Sequence, residues 1–187
     1  MNKTILEIKE LIRKECAELG KVDDWFYDAH LLAVEDFALK LLDKLPEADK
    51  NITMLGVWLH DIQRVRGLEG DHVYAGAAEA EKLLQELGYN QEIIQKVKKI
   101  IQTHRCNSDE LPDSVEGKIL ASADAMSHYT NDFYLHIACR GKRTPENFKA
   151  WVLEKLDRDF NKKISFDFAR DMVRERHQTI YNFVTLQ

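Results

Sequence analysis

The segment NITMLGVWLHDI, residues 51–62, constrains this chain more than any other. Wound at 3.6 residues per turn, its apolar side chains surround the helix on all sides, and only a helix enclosed by other helices can bury such a surface. The chain is therefore expected to be a bundle with this segment at its centre. Few turn residues interrupt the rest: 8 Gly and 3 Pro in 187 residues, where a many-stranded fold needs a turn signal roughly every 8–12 residues.

Helical spacing recurs along the chain. Ile5, Ile8, Leu11, Ile12, Cys16 and Leu19 form one face, with Gly20 as a stop. A helix over residues 28–45 ends before Pro46, one over 50–64 carries the apolar segment, and one over 71–87 stops at Gly88. Asn90 can cap a helix whose face is Ile93, Ile94, Val97, Ile100 and Ile101. Further helices are expected over 114–129, from Thr144-Pro145 to about 159, and from Ser165 to about 184. Nothing reads as a strand. The expectation is an all-α, single-domain irregular helical bundle over residues 1–187, with roughly seven or eight helices. A core of about 28–130 would carry the chemistry, and the helices of about 145–184 would pack on it.

The net charge of −5 and the interspersed Lys and Arg leave no basic stripe, so a nucleic-acid polymer is not an expected partner. Cys16, Cys106 and Cys139 are odd in number and lack CxxC spacing, which fits a reducing compartment. The first residues carry acids every few positions and do not read as a secretory signal, and no apolar run is long enough for a membrane span. The expected location is cytoplasmic.

Four of the seven histidines, His30, His60, His72 and His104, stand at or near a predicted helix end, where side chains of separate helices can converge. Asp61 follows His60 directly, and Asp124 lies inside a later helix. A His-Asp pair closing an apolar helix is costly to bury without partners. Imidazole and carboxylate together suit Mn, Mg, Fe, Co, Ni or Zn, and no thiolate set points to a structural zinc. Each histidine alone would more often be a cap or a packing residue. The case for a site rests on the set.

That set, His30, then His60-Asp61, then Asp124, resembles the H…HD…D signature of the HD superfamily of metal-dependent phosphohydrolases. WLHDIQR, DHVYAGAAEAEKLL, VKKIIQTHR and EGKILASADAMS supply matching context. The resemblance spans residues 28–129 and implies an all-α HD-type fold in which His30, His60, Asp61 and Asp124 ligate a divalent ion. Some members add two histidines and hold two ions bridged by the HD aspartate, and His72 and His104 occupy those places. Relatives often read DAD where this chain has Ser122-Ala123-Asp124, which puts a supporting or substrate-side role in doubt.

The resemblance implies hydrolysis of a small phosphate ester, nucleotide-like in kind, by metal-activated water. Asp61, Arg64 and Lys118 are the catalytic candidates. Arg64, Arg66, Arg105 and Lys118 are candidates for binding the substrate's phosphate. Two alternatives stand beside this reading: a dinuclear-iron oxygenase, as six-residue relatives can be, and a non-catalytic metal- or nucleotide-binding sensor. His128, four residues after Asp124, is left outside the ligand set, and the C-terminal third carries no motif. Its long helices could supply a homodimer surface.

Overall fold

The computed structural model describes residues 3–106, 110–130, 132–141 and 143–186. Helices account for the order of elements: α1 (Lys3–Glu18), α2 (Leu32–Leu42), α3 (Lys50–Leu59), α4 (Ile62–Arg66), α5 (His72–Glu86), α6 (Gln91–Thr103), α7 (Val115–Ser127), α8 (Phe133–Cys139), α9 (Pro145–Arg158) and α10 (Asp167–Thr185). Two wider π-helical turns lie between them, Phe26–Leu31 running into α2 and Asp159–Lys163 continuing α9. No sheet forms among the described residues, and none of their helices is long and apolar enough to cross a membrane.

The fully apolar segment sits where its pattern demands. Every residue of α3 from Ile52 to Leu59 is buried, and the helix packs against α1, α2, α6 and α7. Gly56 makes this closeness workable: a Cβ there would meet Ile100 Cδ1 at 2.5 Å and Leu120 Cδ2 at 3.2 Å. α7 is the second enclosed helix, buried from Ile119 to Ser127, with Ala and Ser letting α2 approach. Predicted caps form as expected. Asn90 accepts from Ile93 N–H and Thr144 from Asn147 N–H, and Ser114, which the sequence reading had not named as a cap, accepts from Gly117 N–H, each worth about 1 kcal/mol.

Among the boundaries that differ from the sequence reading, three stand out, and two of them serve the site. The expected helix over 50–64 breaks at His60-Asp61, where Asp61 takes φ −112° and ψ 19° before α4 restarts. On a regular helix adjacent side chains diverge by about 100°; the break lets both aim into one space. The chain also becomes helical at Phe26, earlier than residue 28, through a π turn that carries His30; such turns are frequent at functional sites. At the other end α10 starts at Asp167, two residues after Ser165. The short helix α8 was not anticipated.

Candidate metal centre

His30, Asp61, His72, His104 and Asp124 line one cleft of about 690 Å³, with His60 fully buried behind it. All six sequence-predicted ligands therefore meet. They divide into two groups, His30, His60 and Asp124, and Asp61, His72 and His104; within each, one donor atom per residue lies within 4.8 Å of the others. Asp61 also joins the first group: its Oδ2 is 3.4 Å from His30 Nε2 and 3.7 Å from His60 Nε2. Asp124 Oδ1 stands 3.7 Å and 3.9 Å from the same two nitrogens.

The hydrogen bonds behind the rings decide what these atoms offer. His60 Nδ1–H donates to Val57 O at 2.8 Å, and His104 Nδ1–H donates to Ile101 O at 2.6 Å. Ser127 Oγ donates to Asp124 O at 2.7 Å and so accepts from His30 Nδ1–H at 3.0 Å. With one N–H per neutral ring, each Nε2 is left as a lone pair. His60 Nε2 is buried with no hydrogen-bond partner, which is costly unless something else satisfies it. As neutral rings, His30 and His60 turn Nε2 lone pairs toward carboxylate oxygens, so that acceptors face acceptors. A cation between them resolves the clash of acceptors, so the residues fit a divalent ion.

Burial acts strongly on the titrating groups. Desolvation holds His72 at about 4, His104 at about 3 and His128 at about 4, so all three stay neutral. Burial opposes ionisation of Asp61 and Asp124, but is outweighed. The cationic side chain of Lys163 at Asp124, and that of Arg64 at Asp61, help keep the two carboxyls ionised.

Arg64 is placed as expected, its Nε donating to Asp61 Oδ1 at 3.0 Å at the cleft wall. Arg105 also lines the cleft. Arg66 and Lys118 do not. Two residues past Arg64 and so on another side of α4, Arg66 bonds Glu15 of α1 and Glu79 of α5. Lys118 precedes Asp124 by six residues, which on a helix is about 9 Å along the axis and about 240° around it. Both leave the substrate-binding set.

The sequence reading missed an entire wall. Lys155, Arg158 and Lys163, from the C-terminal third, line the same cleft. Lys163, 4% exposed, donates to Asp124 Oδ2. Asp159, fully buried, accepts from His128 Nδ1–H at 2.7 Å and from Lys155 at 3.0 Å. That leaves His128 Nε2 facing Asp124 Oδ1 at 3.5 Å. Ser122 donates to Lys163 O at 3.3 Å and accepts from Ser165 N–H at 3.0 Å. Ser122 thereby pins the turn that delivers Lys163. A signal for this wall existed: Lys155, Asp159 and Lys163 repeat every four residues beside Val152, Leu156 and Phe160.

Residues 27–128, more than half of the chain, match the family model of the HD domain. The chain belongs to the HD-domain family. Solved structures agree across its whole length. A predicted HD-superfamily hydrolase from an uncultured Thermotogales bacterium is 24% identical, with TM-score 0.65 and coverage of 98% of this chain and 95% of that one. An HD-superfamily hydrolase from Bacillus thuringiensis is 17% identical, with TM-score 0.71 and coverage of 97% and 93%. Bacillus subtilis YpgQ, solved in complex with ADP, is 22% identical, with TM-score 0.70 and coverage of 97% and 92%. At these identities the likeness is one of fold. No curated protein matches the sequence. The HD-domain match ends at residue 128, so Lys155, Asp159 and Lys163 lie beyond it.

Proposed function

We propose that this HD-domain protein is a divalent-metal-dependent phosphohydrolase acting on a small, nucleotide-like phosphate ester. The observation that carries the reading is the convergence of His30 and His60 Nε2 with Asp61 and Asp124 oxygens, His60 Nε2 being buried without a hydrogen-bond partner, in a cleft walled by cations. His30, His60, Asp61 and Asp124 would hold the ion. When bound, it supplies Lewis acidity and lowers the pKa of water toward neutrality.

The chain's own groups would do the rest. Arg64, Arg105 and Lys155 face the cleft with positive charge, where a transferring phosphoryl group develops negative charge. Lys163 is tied to Asp124 and so fixes that carboxylate's orientation. His128, held through Nδ1 by Asp159, presents Nε2 as a proton acceptor. Trp25, Phe26, Phe133 and Trp151 also line the cleft and offer an apolar surface suited to a planar group carried by the phosphate. The complex of YpgQ with ADP, a relative in fold, supports the nucleotide-like choice.

The test is phosphate release from a panel of nucleotides and sugar phosphates, with Mn, Mg, Co, Ni and Fe(II) added separately. We expect release that depends on metal, stops with chelator and disappears in Asp61→Ala. Turnover that survives in Asp61→Ala, or release from no compound with any metal, would defeat the proposal.

A further inference from the structure

Of the five rings around the cleft, four share one tautomer. His30, His60, His104 and His128 each donate Nδ1–H to an oxygen, leaving Nε2 as a lone pair. His72 is the exception. Its Nδ1 faces the Nη2 of Arg105, a group that can only donate. Nδ1 must then be the acceptor, and the single N–H of the ring sits on Nε2. Asp71 holds the guanidinium in place, accepting from Arg105 Nη1 at 3.0 Å.

We infer that Arg105 keeps His72 from serving as a metal ligand and so restricts this site to one divalent ion. The conclusion holds whichever nitrogen is considered: Nδ1 is covered by the guanidinium, and Nε2 carries a proton. The second group of donors, Asp61, His72 and His104, is therefore one ligand short while Arg105 stays in place. Charge points the same way. Asp61 and Asp124, the carboxylates among these donors, already face Arg64 and Lys163 and would both be drawn on by the first ion. A second divalent ion would bring two further positive charges next to the guanidinium of Arg105, with no free carboxylate among these donors to receive them. Arg105 thus sets metal stoichiometry, in addition to any role toward substrate. This inference rests on the metal reading of the site, and not on the reaction.

The experiment counts Mn²⁺. Wild type, Arg105→Met, Asp71→Asn and the double variant Arg105→Met/His72→Ala are dialysed against equal free Mn²⁺, and bound metal per chain is measured by mass spectrometry. Electron paramagnetic resonance of the same samples reports spin-coupled pairs. Arg105→Met keeps the aliphatic stem. Asp71→Asn keeps the side-chain oxygen that caps Val73 N–H, and it loosens Arg105 without removing it. We expect one ion in the wild type, two coupled ions in Arg105→Met, a shift toward two in Asp71→Asn, and a return to one in the double variant. Two ions in the wild type would overturn the inference. So would one ion in both Arg105→Met and Asp71→Asn, or two in the double variant. Absence of bound Mn²⁺ from the wild type would defeat the metal reading itself and this inference with it.

Discussion

Replacing Lys163 by methionine isolates what the buried cation does for Asp124. Lys163 and Asp124 are 4% and 5% exposed, and the amine bonds Oδ2 directly. Methionine fills much the same space and removes the charge, leaving a carboxylate sealed among His30, His60 and His128 without its cation. Breaking one side of a buried pair costs about 3–5 kcal/mol. A carboxyl buried without its cation can take up a proton, which limits the cost of leaving it unpaired. We therefore expect the low end of that range, about 3 kcal/mol, in protein stripped of metal. For a chain of this size 1 kcal/mol corresponds to about 2–4 °C, so Tm should fall by about 6–12 °C.

Added Mn²⁺ should then return more stability to the variant than to the wild type, by about 1–2 kcal/mol, because the ion neutralises the carboxylate that the lysine abandoned. The double variant Asp124→Asn/Lys163→Met, with both charges gone, should melt near the metal-free wild type, closing the cycle. Urea titrations of the three proteins, with and without Mn²⁺, measure all of this. A metal increment equal in wild type and Lys163→Met would refute the idea that lysine and metal act on one carboxylate. A loss below 1 kcal/mol in the stripped variant would refute the buried pair.

Other expectations follow from the same residues. Ser122→Ala removes the partner of Lys163 O and Ser165 N–H; leaving those groups unpaired should cost about 2 kcal/mol by urea titration and lower kcat through a displaced Lys163. His104 and His128 have pKa values pushed down to about 3 and about 4, from 6.5, by burial. The unfolded chain therefore binds more protons below pH 6.5, and stability present above that value is lost as pH falls toward 4. Each ring should contribute about 2 kcal/mol of loss between pH 7 and pH 5 in metal-free protein, read by urea titration at the two pH values. Asp159→Asn should weaken the hold on both His128 and Lys155, lowering kcat more than it raises KM, as steady-state kinetics on the identified substrate will show.

What could be read from the sequence was what local pattern controls. The apolar residues of α3 announced their own burial, and the caps at Asn90 and Thr144 announced helix starts, because both depend on neighbours a few positions away. The candidate histidines were legible for a related reason: each stands at or near the end of a helix that the pattern had already located. The break at His60-Asp61 was not, since nothing in helix propensity favours it; it follows from two adjacent side chains having to share one space. Arg66 and Lys118 show the limit of counting cations near a motif. A residue two or six positions away on a helix faces elsewhere, and Glu15 and Glu79, distant in sequence, capture Arg66.

The C-terminal wall was hidden because a lysine in a polar stretch reads as solvated until the element covering it is known. Lys162 and Lys163 are neighbours in the same π turn, yet one is exposed and the other sealed. Burying Lys163 charged is tolerable only beside an ionised Asp124, and keeping Asp124 ionised in that interior is helped most by Lys163. Each residue supplies the condition for the other, and one lies inside the HD-domain match while the other lies outside it. The helices after residue 130 are therefore part of the centre's electrostatics and not merely a cover for the core. Removing them would expose α7 to water. It would also leave Asp124 without its cation and His128 without the carboxylate that orients it, so a chain cut near residue 130 should lose metal affinity even where it keeps its helices.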